Sequence, residues 1–309
     1  MEKVLNVDSL FKTFGDFVAV DKVSFSLKNG EILGFLGQNG AGKTTTIQML
    51  LGVLTPTSGS ISFLGKDFSQ HRSELLEKIN FSSTYTNLPF GLKVKDALHF
   101  ISYLYKLPDR KKRVAELVEI FNLGRLLDQR IASLSAGEQT RLNLAKAFIN
   151  SPSILLLDEP TASLDPENAQ TIRDFIIKER REHGLSVLFT SHNMTEVEEI
   201  CDRVIFIQSG RITLDDTPYN LARKLDLSTV RLLLDTDSAP FQQLISGSGI
   251  QIERIGPEIS IKMKESEVPQ FVNSLVNAKI DFHGLTVTRA GLEEYFFKDR
   301  PDNSGKKNA

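Results

Sequence analysis

The sequence predicts an α/β protein with a buried sheet, followed by a smaller α+β unit. Through about the first 220 residues, short apolar runs of strand length alternate with segments of helix length. That alternation is typical of strands joined by helical crossovers. Beyond residue 228 the order becomes strand, helix, two strands, helix and strand, which is the order of a ferredoxin-like unit.

The composition is that of an ordinary globular protein. The chain has 309 residues, of which 40% are hydrophobic and 25% are charged, so a disordered, collagen-like or disulfide-stapled class is excluded. The length favours about two domains. The net charge of −2 provides no overall attraction to nucleic acid or anionic membranes, and no nucleic-acid partner is expected.

The compartment is predicted from the cysteine content and from the absence of targeting patterns. Cys201 is the only cysteine, so an intrachain disulfide is impossible and a reducing compartment is favoured. The start of the chain lacks the pattern of a secretory signal. The most apolar runs, such as Ile154–Leu157, have four residues, far fewer than the roughly 20 that a spanning helix needs. We expect a cytoplasmic chain that does not itself cross a membrane.

Five apolar runs in the first part of the chain predict strands. In the first run, Val23, Phe25 and Leu27 alternate with polar residues. The other four runs are Glu31–Gly37, Ile154–Leu157, Ser186–Thr190 and Arg203–Ile207. Apolar residues from 94 to 150 instead recur at helical spacing, which predicts a helical subdomain over about residues 88–150.

The C-terminal part is expected to fold as a unit of its own. Its predicted elements are a strand Val230–Leu234, a helix Phe241–Ile245, two strands around Gly256-Pro257, a helix Val268–Ala278, a strand Ile280–Val287 and a last helix Leu292–Phe297. Residues 300–309 lack apolar anchors, which predicts a disordered tail. The predicted domains are therefore 1–222 and 228–299, followed by that tail.

A glycine-rich segment follows the second predicted strand. It reads Gly37-Gln38-Asn39-Gly40-Ala41-Gly42-Lys43-Thr44 and leads into a predicted helix, Thr45–Leu51. A plain strand-to-helix turn is the alternative, but these offsets match a phosphate-binding loop. Such a loop points successive backbone N–H groups, here up to that of Thr45, at phosphate beside the positive end of a helix. Lys43 would then reach the β and γ phosphates.

Two carboxylates end the strand that begins at Ile154. Thr44 can supply a hydroxyl to Mg²⁺, and Asp158 can hold the same ion from the opposite side. Because neighbouring side chains at a strand end point apart, Glu159 would face a water in line with the γ phosphate and act as a general base. The alternative is a pair of solvated turn acids before Pro160. Together with the phosphate loop, the pair predicts a nucleoside triphosphatase.

A further motif, Leu134-Ser135-Ala136-Gly137-Glu138, opens a segment of helix length. Taken alone, Ser135 followed three residues later by Glu138 is a capping box. Residues 1–222, however, resemble the ATP-binding cassette (ABC) family, because they carry five motifs of that family in order. The five are the phosphate loop, this LSGGQ-like motif, Asp158-Glu159, Ser163-Leu164-Asp165 and His192. These motifs in this order are highly specific.

The resemblance implies roles for two further residues at the nucleotide. Phe14 matches the aromatic residue that stacks on adenine, although a phenylalanine of the core is the alternative because Phe11 and Phe17 are close by. His192 matches the switch histidine that touches the γ phosphate and would be catalytic with Glu159. ATP and Mg²⁺ are the implied cofactors.

The resemblance also implies a dimer. In the family two cassettes meet head to tail, so Ser135 and the Gly137 N–H of one would contact ATP bound by the other, and Asp165 would lie in the dimer-contact loop. The chain has one phosphate loop and one signature. A homodimer or heterodimer is therefore required for hydrolysis, and the monomer should be nearly inactive. An Asp-Pro turn is the alternative explanation of Asp165.

Three positions depart from the family pattern. Ala136 and Glu138 stand where the signature has glycine and glutamine, and Glu138 is expected to point away from phosphate as a first-turn carboxylate. Thr84 occupies the position of the family's Mg²⁺-binding glutamine and is predicted to take its place at the metal. We expect the signature changes to be tolerated.

The predicted function is that of an ATP-binding and hydrolysing subunit that powers a separate integral membrane permease. The chain would then lie on the inner face of the cell membrane through that permease. Two alternatives stay open: a soluble ABC ATPase that acts on nucleic acid or ribosomes, and a low-turnover regulatory module, which Thr84 would favour.

Overall fold

The structure, a computed structural model, describes residues 2–83, 88–234, 239–245, 251–256, 258–289 and 291–294. The chain divides into two compact units, Met1–Thr217 and Pro218–Ala309. The domain boundaries at residues 222 and 228 stay predictions. In the parts of the chain given above, no helix combines the length and the apolar character that crossing a bilayer would require.

The described strands of the first unit form two sheets. They are β1 (Lys3–Phe14), β2 (Phe17–Lys28), β3 (Ile32–Leu36), β4 (Ser58–Phe63), β5 (Lys66–Asp67), β6 (Ile79–Ser83), β7 (Ile154–Asp158), β8 (Ser186–Thr190), β9 (Arg203–Gln208) and β10 (Arg211–Asp216).

The larger sheet has the order β10-β9-β3-β8-β7-β6 and is parallel except at β10. Every residue of β3, β7 and β8 is buried, as expected for the short apolar runs of a sheet that is covered on both faces. The α/β prediction is confirmed. Because these strands are parallel, their carboxyl ends lie at one edge of the sheet, where the predicted site residues follow them.

The smaller sheet, β2-β1-β4-β5, is antiparallel, and its strands β1, β4 and β5 were not predicted. The pairing of β1 with β2 shifts register between Val7 and Leu10 and again beyond Leu10. Each shift interrupts the alternation of inward and outward side chains. The period-two signal of β1 is therefore lost from the sequence.

The described helices of the first unit are α1 (Lys43–Leu50), α2 (Phe68–Leu76), α3 (Val94–Ser102), α4 (Arg110–Ile120), α5 (Ala136–Ala147), α6 (Pro166–His183) and α7 (Met194–Ile200). Helices α3, α4 and α5 lie in the segment predicted to be helical. The rings of Phe121 after α4, Phe148 after α5 and Phe175 of α6 contact one another at centroid distances of 4.9–5.9 Å, in edge-to-face or tilted arrangements. This aromatic cluster joins α5, which carries the signature motif, to α6, which follows Asp165.

The second unit contains α8 (Pro218–Leu225), β11 (Ser228–Leu233), α9 (Ala239–Ile245), β12 (Gln251–Ile255), β13 (Glu258–Met263), α10 (Val268–Asn277) and β14 (His283–Arg289). Its sheet, β12-β13-β11-β14, is antiparallel throughout. This is the ferredoxin-like arrangement that the sequence predicts. Its core includes Val230, Ile261 and Leu275. The predicted helix Leu292–Phe297 extends past the described residues, and the predicted tail 300–309 lies outside them.

Candidate functional site

The phosphate loop lies between β3 and α1 and needs glycine at two positions. A Cβ on Gly37 would come within 2.3 Å of the Ile207 carbonyl oxygen, and one on Gly42 within 2.6 Å of the Ala19 carbonyl oxygen. Gly42 is also the N-cap of α1, with φ of 108° in the left-handed region and no side-chain cap. The N–H groups at the start of α1 are therefore left for a ligand rather than for a capping side chain.

A cavity of about 660 Å³ opens above this loop. The predicted site residues among its lining are Asn39, Gly40, Gly42, Lys43, Thr44, Thr45, Asp158, Glu159 and His192. Phe14, Gly37, Ala41, Ser135 and Gly137 are not part of the lining. Thr84 lies outside the described residues.

Lys43 points its amine back onto the phosphate loop. Its Nζ donates hydrogen bonds to the carbonyl oxygens of Gly37 at 2.6 Å and Gln38 at 3.2 Å. Burial lowers the pKa of Lys43, while the nearby carboxylates of Glu159 and Asp158 oppose that shift. A cation held at this end of the cavity is suited to an anionic ligand.

Asp158 ties together the ends of three adjacent strands. Its Oδ1 accepts a hydrogen bond from Thr190 Oγ1 at 2.7 Å, and its Oδ2 accepts one from Ser83 Oγ at 3.2 Å. In the sheet register Asp158 stands beside both Ser83 and Thr190, so the strand pairing itself places the two hydroxyls. The result is a carboxylate of fixed orientation at the cavity.

Glu159 has a backbone conformation that is uncommon for a residue with a side chain. Its φ is 54°, and its N–H donates to the Thr190 carbonyl oxygen at 3.2 Å. Glu159 Oε2 accepts from the His192 backbone N–H at 3.3 Å, and His192 Nε2 lies 3.3 Å from Oε1. Within the described chain, Oε1 is buried without a partner in hydrogen-bond geometry.

The environment of Glu159 favours its protonated form. Burial is the largest cause and raises the pKa of Glu159; the His192 charge opposes that shift, and Asp158 adds to it. A carboxylate with a raised pKa is suited to accept a proton.

Two side chains that could donate oxygen to a divalent ion line the cavity. Among the described residues no three His, Cys, Asp or Glu side chains lie close enough to hold a metal. Thr44 and Asp158 both line the cavity. One hydroxyl and one carboxylate completed by phosphate oxygens and water form the donor set that Mg²⁺ usually takes.

The signature motif caps α5. Glu138 N donates to Ser135 Oγ at 3.3 Å, and Ser135 N donates to Glu138 Oε2 at 2.9 Å, so the capping box of the sequence is present. Asp165 likewise caps α6 and accepts a hydrogen bond from Asn168 N at 3.0 Å. The dimer roles of Ser135, Gly137 and Asp165 stay predictions.

Several residues at the cavity were missed by the sequence analysis. Phe17 pairs with Phe14 across the β1–β2 turn, and Phe17 lines the cavity. Phe14 does not line the cavity, and the Nζ of Lys12 lies 5.2 Å from its ring centroid. Thr190 was placed at the end of a predicted strand without a role, and Ser83 was given no role. The signal for both was their position at the carboxyl end of a strand beside Asp158.

Taken together, the phosphate loop before α1 and the carboxylates at the ends of parallel strands define a P-loop nucleoside triphosphatase. Residues 20–162 match the family model described as ABC transporter. The uncharacterized ABC transporter ATP-binding protein YhaQ of Bacillus subtilis is 30% identical over 298 residues, covering 96% of this chain and 98% of that protein. The chain therefore belongs to the ABC transporter family, and its first unit is an ATPase cassette of that family.

Two further relatives are informative. The bacitracin transport ATP-binding protein BcrA of Bacillus licheniformis is 29% identical over 300 residues, which cover 96% of this chain and 97% of that protein. Among solved structures, cbiO1 from Clostridium perfringens, described as part of the ABC transporter complex cbiONQ, matches with a TM-score of 0.62 and 29% identity. That match covers 73% of this chain and 95% of that chain.

Proposed function

We propose that this chain binds ATP with Mg²⁺ at the cavity, hydrolyses it, and powers transport through a membrane permease that is a separate chain. The observation that carries the proposal is that Lys43, Thr44, Asp158, Glu159 and His192 all line one cavity. The relationship to BcrA, a bacitracin transport ATP-binding protein, and to cbiO1, part of an ABC transporter complex, supports the permease partner. The permease would hold the chain at the inner face of the membrane.

Each residue is proposed to act on a different part of the nucleotide. The N–H groups from Gly40 to Thr45 and the Lys43 amine bind the phosphates. Thr44 and Asp158 would hold Mg²⁺, which supplies charge neutralisation at the phosphate oxygens when it is bound. Thr84 is proposed as a further group at that ion.

Glu159 is proposed to take a proton from the attacking water, and His192 to contact the γ phosphate. The place of both residues in the cavity lining and the raised pKa of Glu159 support this division of roles. Lys43 and both carboxylates are retained, which disfavours the regulatory module without turnover.

A head-to-tail dimer is proposed because Ser135 and Gly137 lie outside the cavity of their own cassette. Ser135 is exposed at the start of α5, so a second cassette could reach it. The described residues then supply one half of each ATP site, and the partner supplies the other half.

Mixing two variants tests the dimer and the activity together. We expect Mg²⁺-dependent ATP hydrolysis by the wild type, and its loss on Ser135→Arg, because the arginine would block the partner's nucleotide. Ser135→Arg should still bind ATP, since Ser135 does not line its own cavity. Mixed with Lys43→Ala, it should regain turnover, because one site of the mixed dimer has both Lys43 and Ser135. No hydrolysis by the wild type, or full activity of Ser135→Arg alone, would contradict the proposal.

Which aromatic residue stacks on the adenine base can be tested separately. Phe17 is 65% exposed and lines the cavity, so Phe17→Ala should weaken ATP binding by about 5- to 30-fold, the loss of one stacked base at 1–2 kcal/mol. Phe14→Ala, the matched control across the same turn, should change it less. Titration of a fluorescent ATP analogue measures both. A larger loss in Phe14→Ala would instead favour the residue that the family resemblance implies.

A further inference from the structure

The carboxylate of Glu196 is buried behind the cavity. Glu196 lies on α7 and is 2% exposed. Its Oε2 accepts hydrogen bonds from Thr161 Oγ1 at 2.9 Å and Ser191 Oγ at 2.8 Å. Its Oε1 accepts one from Arg173 Nη1, on α6, at 3.3 Å. One carboxylate oxygen therefore accepts hydrogen bonds from two hydroxyls. The other accepts one from the guanidinium, whose positive charge balances that of the carboxylate.

The two hydroxyls belong to the segments that carry Glu159 and His192. Thr161 stands two residues after Glu159, and Ser191 stands directly before His192. On the cavity side the same segments meet through the His192 N–H, which donates to Glu159 Oε2 at 3.3 Å. Glu196 thus connects, through these two hydroxyls, the segment that carries Glu159 with the segment that carries His192.

The backbone of Glu159 needs such support. A φ of 54° is unfavourable for a residue with a Cβ and persists only where the surrounding structure holds it. The Glu159 N–H is held by the Thr190 carbonyl oxygen. On the other side, the Thr161 hydroxyl is held by Glu196. Loss of the second contact would remove one of the hydrogen bonds that hold the segment around Glu159 in place.

A buried ion pair adds little to the stability of a fold, because the free-energy cost of removing two charges from water offsets their attraction. A shared acceptor, however, restricts two segments to hydrogen-bond distance of the same atom. Charge-assisted hydrogen bonds are also shorter and stronger than neutral ones. These hydrogen bonds therefore fit a role in positioning the two segments better than a role in stabilising the fold as a whole.

We infer that Glu196 is a positioning residue that sets the spacing between the Glu159 carboxylate and His192 by holding the hydroxyls of Thr161 and Ser191. The inference rests on the proposed function, in which Glu159 and His192 act on ATP. Glu196 itself does not line the cavity and touches no part of the nucleotide site.

The test uses the full chain and removes one hydroxyl at a time. We expect Thr161→Val and Ser191→Ala each to lower kcat about 10-fold, since displacements of about 1 Å in an active site can cost as much as 10²-fold. KM and the ATP dissociation constant should stay within about twofold, because the phosphate loop is untouched. Thr161→Ser keeps a hydroxyl and should restore kcat. The double variant should lose less than the product of the two single losses, since both act through one carboxylate.

Glu199 offers a matched control. It lies on the same helix, and its Oε2 is 3.2 Å from Nε of the same Arg173, but its side chain is 49% exposed. Glu199→Gln should leave kcat unchanged, whereas Glu196→Gln should lower it. The thermal melting temperature of every variant shows whether a loss is one of folding, and the Thr161 and Ser191 variants keep the buried charge pair intact.

Two results would overturn the inference. The first is normal kcat in Thr161→Val and Ser191→Ala. The second is a fall in kcat that follows the fall in melting temperature and is not restored by Thr161→Ser. Failure of the proposed function is seen separately, as absent turnover in the wild type. Wild-type turnover with unaffected variants removes only the role of Glu196.

Discussion

Replacement of Glu159 with glutamine is expected to lower ATP turnover by about 10²- to 10⁴-fold, the usual effect of losing a general base. The carboxamide fills the same space but cannot accept a proton. ATP binding should persist, because the contacts of Lys43 and of the phosphate loop remain. Dimers with trapped ATP should therefore accumulate.

Single-turnover hydrolysis and size-exclusion chromatography with ATP and Mg²⁺ measure the two effects. Glu182→Gln makes the same chemical change at a side chain that is 54% exposed near the end of α6, and it should behave as the wild type does. Turnover in Glu159→Gln equal to that of the wild type would refute the assignment of the base. If Glu159→Gln neither hydrolyses ATP nor dimerises in its presence, Glu159 would instead be needed for ATP binding.

Replacement of Lys43 with alanine is expected to lower ATP affinity by about 10- to 150-fold, the equivalent of one hydrogen bond to a charged group at 1.5–3 kcal/mol. The amine lies 2.6 Å from the Gly37 carbonyl oxygen, so it is already placed at the phosphate loop. The reason for the loss is electrostatic, since no other lysine or arginine among the described residues lines the cavity.

A comparison of lysine variants separates charge from shape. Lys43→Met keeps the length of the side chain without the charge and should bind ATP as weakly as Lys43→Ala does. Lys66→Ala removes an exposed lysine that pairs with Glu74 and should have no effect. Equilibrium titration with a fluorescent ATP analogue measures the affinities. Retained affinity in Lys43→Met would show that the charge is not the cause.

The elements that the sequence predicted well are those with a strong local signal. Strand β8 has the predicted bounds, Ser186–Thr190, and β7 extends the predicted run by one residue to Asp158. Both are short apolar runs that are buried along their whole length. Helix α1 begins at Lys43, two residues before the predicted start. The phosphate loop was placed correctly because its residues are contiguous.

The class of site could be predicted from the sequence, because Lys43, Asp158, Glu159 and Ser135 belong to motifs whose chemistry depends on a few neighbouring residues. Which hydroxyls donate to the carboxylates of Asp158 and Glu196 is seen only in the folded chain. Ser83, Thr161, Thr190 and Ser191 are common residues with no motif of their own. Parallel strand pairing brings the ends of β6, β7 and β8 to one edge and places Ser83 and Thr190 beside Asp158. Thr161 lies 35 residues from Glu196, whereas Ser191 lies only five residues from it. Hydrogen bonds require approach within about 3 Å, and only the folded sheet sets that distance between residues so far apart in the chain.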